Sequence, residues 1–148
     1  MAKKAGTIPF QIIDEQIWIC LVSSRKRKNK FILPKGTVRT SEDMIEAAKR
    51  ETLEEAGLKG EMSHKSVKIK AKSADKEPVL HSIKFFPLSV VKIKEKWPEK
   101  KHRKRLWINY DDLPKAVMVK RDIAVIQSRR FKSILKNMVN RSLSSLSS

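Results

Sequence analysis

The chain has 148 residues, with 34 Lys+Arg against 16 Asp+Glu and a formal net charge of +18. That length suits one domain, and 40% hydrophobic residues are enough for a core, which excludes wholesale disorder. No run approaches the roughly 20 apolar residues that cross a bilayer, and the apolar start is broken by Pro9 and Gln11 before a signal-peptide core could form.

Two runs rich in Ile, Val, Phe and Trp, Ile8 to Ile13 and Gln16 to Val22, predict strands joined by a hairpin turn at Asp14-Glu15. Cys20 lies inside the second run and reads as a buried small hydrophobe; without a partner it points to a reducing, cytoplasmic setting. Lys30 to Leu33 is a third strand, stopped by Pro34 and Gly36. Ser41 to Ala56 reads as a helix with Ser41 as its cap, Glu42 and Asp43 in its first turn and Gly57 ending it. Ile45, Ala48, Thr52 and Ala56 form a narrow face of mostly small residues, suited to close packing on a sheet.

Val67 to Ala71 alternates apolar residues with lysine, and Val79 to Ile93 holds two strand-like runs around Pro87. Leu106 to Tyr110 is a last strand, and Asp111-Asp112-Leu113-Pro114 resembles a helix start. From Asp122 the apolar residues recur at helical period through Val139, an amphipathic closing helix with Met138 as filler; Met118 reads likewise. A single domain over residues 1–141 is expected, with residues 142–148 a disordered Ser/Leu tail. Strands with helices before and after them make a mixed α/β or α+β domain, helices packed on a sheet.

The charge collects anions: nucleic acid, membrane phospholipid, or a ligand dense in phosphate. It is concentrated in Arg25-Lys26-Arg27-Lys28-Asn29-Lys30 and in Lys92 to Arg105. Either cluster taken alone also suits a solvated loop. Aromatics are few near both, so the charge argues for a polyanion without naming its kind. His64, His81 and His102 lack metal-ligand spacing.

The chemistry-bearing segment is Gly36 to Leu58. Glu51, Glu54 and Glu55 stand at i, i+3 and i+4, so a helix projects all three carboxylates from one face. By itself that trio also suits an ordinary acidic surface. In a chain so short of acid, however, three crowded carboxylates call for a cation, and hard ions such as Mg²⁺ or Mn²⁺ take oxygen ligands and bridge to phosphates. Arg50 can pair with Glu46 or Glu54 one turn away, and Gly36 lets the chain turn tightly after Pro34 and brings bare backbone near the patch.

The whole segment resembles the Nudix box: Gly, five residues, Glu, seven residues, Arg-Glu, an aliphatic, any residue, Glu-Glu, any residue, Gly, an aliphatic. Gly36, Glu42, Arg50, Glu51, Glu54, Glu55 and Gly57 fit, Leu58 fills the final place, and Thr52 departs where an aliphatic is usual. Seven fixed matches arise by chance on the order of 10⁻⁸ per register. The resemblance implies a Nudix-type α/β/α sandwich, a mixed sheet between the box helix and a C-terminal helix. It also implies Mg²⁺- or Mn²⁺-dependent hydrolysis of a phosphoanhydride.

Carried over, Glu51, Glu54, Glu55 and the Gly36 carbonyl look like metal ligands. Glu54, Glu51 and Arg50 are the catalytic set, Arg50 orienting a glutamate, and Glu42 is supporting. Glu77, Glu95 and Glu99 are candidates for a further acidic ligand outside the box. Lys35, Arg25, Arg27, Arg103 and Arg105 are expected to bind substrate. Phe31 to Gly36, Ala47-Ala48, Trp97-Pro98-Glu99, Arg103 and Trp107 resemble the branch that hydrolyses diphosphoinositol polyphosphates and dinucleoside polyphosphates. The expected partner is thus a polyphosphorylated small molecule acted on by a monomer or dimer, with no membrane. RNA bearing a 5′-pyrophosphate and nucleotide sugars stay open as substrates, and a catalytically silent nucleic-acid-binding module is the non-enzymatic alternative.

Overall fold

A computed structural model of the chain describes residues 2–72 and 76–147, with side chains over 3–72 and 76–141. The expected tail over 142–148 falls outside the residues described with side chains.

The first hairpin forms as the sequence predicts. Strands β1 (Ala2–Ile13) and β2 (Gln16–Ser23) pair antiparallel from Phe10↔Ile19 to Ile13↔Gln16, and Asp14 and Glu15 both take positive φ, as a tight two-residue turn requires. Then come β3 (Phe31–Ile32), β4 (Lys35–Thr37), helix α1 (Met44–Ala56), β5 (Leu58–Met62), β6 (Val67–Lys72), β7 (Leu80–Ile93) and β8 (Arg105–Asn109). One 3-10 turn over Lys115–Val117 leads to α2 (Lys120–Gln127) and α3 (Arg129–Ser147). The described strands form one mixed sheet of order β3-β2-β1-β7-β5, with β4 on β1, β6 on β7 and β8 on β2. β1 and β7 run parallel through the centre, and the remaining pairs are antiparallel.

Strand alternation sorts side chains to two faces. Ile8, Phe10, Ile19, Leu21, Ile83 and Phe85 pack with Val125, Ile126, Phe131, Ile134 and Leu135 of the closing helices. The intervening Ala5, Phe86, Leu88 and Val90 pack on the other side with Ala47, Ala48 and Ala56 of α1. This is the expected α/β/α sandwich.

Several local expectations need correction. Helix α1 begins at Met44, not Ser41, because Asp43 caps it: its side chain accepts from the Glu46 N–H at 2.8 Å while Glu46 reaches back to the Asp43 N–H. Gly57 closes α1 in the left-handed conformation at φ 66°, as expected. Gly36 makes no turn; it lies inside β4, opposite Ala5. The third strand shrinks to two residues, and Leu58–Met62 adds a strand that Gly57 before it and Gly60 within it concealed. The runs around Pro87 are a single strand. β5 ends with Met62 opposite Leu88 and β6 begins with Val67 opposite Phe85, so the proline falls in the break between them, where its carbonyl accepts from the Ser63 N–H. No α-helix starts at Asp111; a turn and the 3-10 segment occupy that stretch. The closing helix is two helices, broken at Ser128, whose hydroxyl donates to the Val125 carbonyl and accepts from the Phe131 N–H.

Helix α1 lies close on the sheet because the side chains between them are small. Thr52, the one departure from the box, has a partner on β1: its hydroxyl and that of Thr7 are 2.7 Å apart, and both residues are fully buried. Thr52→Val should therefore cost about 1–3 kcal/mol, since it strands a buried hydroxyl. Thr7→Val with Thr52→Val should recover most of that loss in urea denaturation, because no unpaired hydroxyl remains.

Candidate active site

The middle of α1 carries its acids on the flank of the small-residue face. Arg50 gathers two of them, Glu51 and Glu54, together with Glu42 from before the helix. Its Nε and Nη2 donate to the two Glu42 carboxylate oxygens at 2.6 and 2.9 Å, its Nη1 to Glu51 at 2.8 Å and to Glu54 at 3.5 Å, and Nη2 also reaches the Thr37 carbonyl. The bidentate guanidinium holds the Glu42 carboxyl down to about 2. The expected alternative partner Glu46 is committed to the helix cap, so Arg50 bonds Glu42 from outside the helix instead.

Glu51 presses against β4. A Cβ at Gly36 would run into the Glu51 carboxyl, so the glycine permits a close approach of strand and carboxylate, not a turn. Glu55 turns inward and is only 2% exposed. Its oxygens accept from the Lys35 backbone N–H at 3.3 Å and pair with Arg103 at 3.4 Å. Burial pushes its carboxyl up to about 8; Arg103 opposes the shift and Glu51 adds to it.

Arg103 also bonds Glu99 at 3.1 Å and the Ser23 carbonyl at 2.9 Å. Of the three outside candidates, Glu99 is thus the one brought beside Glu55, while Glu77 and Glu95 are exposed. Lys35 is brought down to about 8 by burial first and then by Arg121 and Lys4, with Glu55 and Asp122 opposing.

Next to Glu55 opens a cleft of about 1130 Å³. Eleven of its twenty lining residues are Lys or Arg and none is Asp or Glu. The expected Arg25, Arg27, Lys35 and Arg103 all line it. Arg105 does not: its guanidinium caps the C-terminal end of α1, donating to the Ala56 and Lys94 carbonyls at 3.1 and 2.8 Å, and stacks 4.0 Å from the Trp97 ring centre. Lys26 and Lys30 of the first basic run line it as well, and Lys4, Lys72, Lys115, Lys120 and Arg121 complete the cationic wall and were missed. In sequence these five stand singly or in pairs, Lys3-Lys4 and Lys120-Arg121. Arg121 is held by Asp122, which is fully buried and also accepts from the Leu33 N–H at 2.9 Å, tying α2 to the strand before the box.

Among the described residues, no three His, Cys, Asp or Glu side chains converge into a closed metal cage. Arg50 lies between Glu51 and Glu54, and Glu55 is turned toward the sheet. The donor set nevertheless fits a hard divalent cation that keeps several of its waters. It is all oxygen, three carboxylates share one helix flank, and the missing Gly36 side chain clears the space that Glu51 enters.

The NUDIX domain family model matches residues 4–128. The chain belongs to the Nudix family. Nudix hydrolases generally use divalent metal ions. Nudix hydrolase 4 of Arabidopsis thaliana is 42% identical over 115 residues, covering 72% of this chain and 55% of that protein. A human diphosphoinositol polyphosphate phosphohydrolase is 30% identical over 117 residues, covering 78% of this chain and 62% of that protein. The chain thus spans little more than half of these curated relatives' length. The solved structure of an Ap4A hydrolase from C. elegans aligns over 95% of this chain and 97% of its own with a TM-score of 0.56 and 19% identity, a likeness of Nudix fold. No helix among the described residues is long and apolar enough to cross a membrane.

The buried Glu55 carboxyl makes a pH prediction for metal-free protein. Folded Glu55 keeps its proton up to about 8, whereas the unfolded side chain releases it near 4.5. Unfolding therefore releases a proton between those values, and stability falls as pH rises through that window. Glu55→Gln should remove this slope from chemical denaturation between pH 5 and 8, leaving it more stable relative to wild type at pH 8 than at pH 5.

Proposed function

We propose that the chain is a divalent-cation-dependent pyrophosphohydrolase that cleaves a phosphoanhydride in a highly phosphorylated small molecule. The observation that carries this reading is the juxtaposition at Glu55, where the carboxylate helix meets a cleft lined by eleven cations and no acid. The charge of the cleft supports this substrate class: a ligand with many phosphates finds there a density of positive charge that a singly charged metabolite would not need. The diphosphoinositol polyphosphate and Ap4A hydrolases among the similar proteins act on molecules of that kind.

In this reading Glu51, Glu54 and Glu55, with the Gly36 carbonyl, hold the cation, Mg²⁺ or Mn²⁺. The bound cation supplies neutralising charge for the phosphoanhydride oxygens and makes water more acidic. Glu54, the most exposed of the three glutamates that contact Arg50 or Arg103 from the box helix, is placed to accept a proton from the attacking water. Arg50 keeps Glu51 and Glu54 oriented and is itself anchored by Glu42. Lys35 and Arg103 stand between helix and cleft, where negative charge accumulates on the leaving phosphate. Arg25 and Arg27 draw in the remaining phosphates from the cleft's open side.

Glu54→Gln should lower kcat roughly a hundredfold or more on any phosphoanhydride that wild type cleaves, while its far-ultraviolet circular dichroism stays unchanged. Full turnover in that variant overturns the assignment. Chelator-stripped wild type should gain about 2.7 kcal/mol of stability at a hundred times the Kd of Mg²⁺ or Mn²⁺, read as a rise in Tm. An unmoved Tm with either ion overturns the metal site.

A further inference from the structure

The two basic runs of the sequence meet beyond the cleft. Where the segment after β2 approaches the loop before β8, a second pocket of about 360 Å³ opens. It shares Ser24, Lys30 and Arg103 with the large cleft, so the two are contiguous. Five of its ten lining residues are Lys or Arg, and again none is acidic. Its walls are held in place. Ser23 and Lys104 exchange hydrogen bonds at 2.9 Å through the Ser23 N–H and hydroxyl, and Arg103 donates to the Ser23 carbonyl. The Lys30 ammonium is anchored to the Ala116 carbonyl at 2.7 Å.

Cations alone would accept any phosphate; the aromatic wall makes the choice. Trp97 is occupied, with Arg105 stacked on it and the Lys100 ammonium 5.6 Å from its centre. Phe31 is half-buried, packed on one side against the main core, and lines the pocket together with Lys30 and Arg103. A ring beside a cationic track is what a nucleobase and its phosphate require, whereas a phosphorylated polyol has no π-face to offer it.

We propose that this second pocket is a nucleotide subsite, in which a base lies against Phe31 and its phosphate meets Lys101, Arg103 and Lys104. It rests on the reading of the cleft as the phosphoanhydride site, and it makes the substrate an elongated one: a phosphoanhydride in the cleft carries a further nucleotide into the pocket. That nucleotide is either the far half of a dinucleoside polyphosphate or the second residue of a 5′-triphosphorylated RNA.

The test compares kcat/KM for matched pairs: dinucleoside tetraphosphate against nucleoside tetraphosphate, and 5′-triphosphorylated dinucleotide RNA against nucleoside triphosphate. In Lys101→Glu with Lys104→Glu, and separately in Phe31→Leu, the preference for the longer member should fall about tenfold in at least one pair. The pair that responds identifies the source of the nucleotide. Lys59→Glu with Lys92→Glu makes the same change in net charge at a distant strand edge and should leave both preferences unaltered. Preferences unchanged in the pocket variants, or lowered equally by the distant pair, overturn the subsite.

Should wild type hydrolyse none of the four, the cleft's reaction lies with a non-nucleotide phosphoanhydride or fails by the Glu54 and metal tests above, and adenosine 5′-monophosphate then reads the pocket directly. A Kd raised about tenfold by the Lys101 and Lys104 reversals, but not by those at Lys59 and Lys92, upholds the subsite. Equal affinity in all three proteins overturns it.

Discussion

The site depends on how closely one helix can approach one sheet. Ala47, Ala48, Thr52 and Ala56 keep the buried face of α1 thin, and Gly36 offers no side chain at the point of contact. A larger residue at any of these places would lift the helix away from β1 and β4. Glu51 would then lose its place against the strand, and Glu55 its reach to the Lys35 N–H. The Thr7–Thr52 hydrogen bond pins the middle of this contact. It replaces the packing of an aliphatic with a directional bond, which fixes the helix along its own axis as well as toward the sheet.

Close packing creates an electrostatic problem that the fold solves with arginines. Four carboxylates, Glu42, Glu51, Glu54 and Glu55, stand near one another, and like charges at this spacing repel. Arg50 links three of them from within the helix, and Arg103 arrives from a different part of the chain to meet the fourth and Glu99. The two arginines thereby order the acids through direct contacts. A planar guanidinium suits this task better than an ammonium, because its fork holds two or three carboxylates at fixed angles.

Much of this was legible in the sequence because the box is local: the helix, its carboxylate spacing and its closing glycine all lie within 23 residues, although its cap is Asp43 and not Ser41. The first hairpin, the alternating strand and the two-faced layering were legible for the same reason, since periodicity is a near-neighbour property. What escaped depends on distant partners. Nothing near Gly36 announces that it belongs to a strand; its pairing with Ala5 and the Glu51 carboxyl across from it do. Pro87 reads as a strand breaker until the two outer strands on either side of it are known. The cationic wall of Lys4, Lys72, Lys115, Lys120 and Arg121 is assembled from four separate elements, and Asp122 reads as an ordinary helix-start acid although it is fully buried and bonded to Arg121.

Arg105 shows why a basic run cannot be assigned as a whole. Helix α1 ends without a basic residue of its own in its last turn, and Gly57 leaves that end bare where Trp97 packs over it. The Trp97 indole donates to the Glu55 carbonyl, and Arg105 takes the Ala56 carbonyl while stacked on the same ring. Together they supply the hydrogen bonds and positive charge that the helix terminus lacks. The loop carrying them is thereby fastened to the carboxylate helix. Two residues earlier, Arg103 is delivered to Glu55, and between them Lys104 is locked to Ser23. One residue of the run is consumed in building the scaffold, so that its neighbours face the cleft and the pocket beside it in fixed positions. Neighbouring cations of one basic run thus do different work, and the work of each is set by what lies across from it.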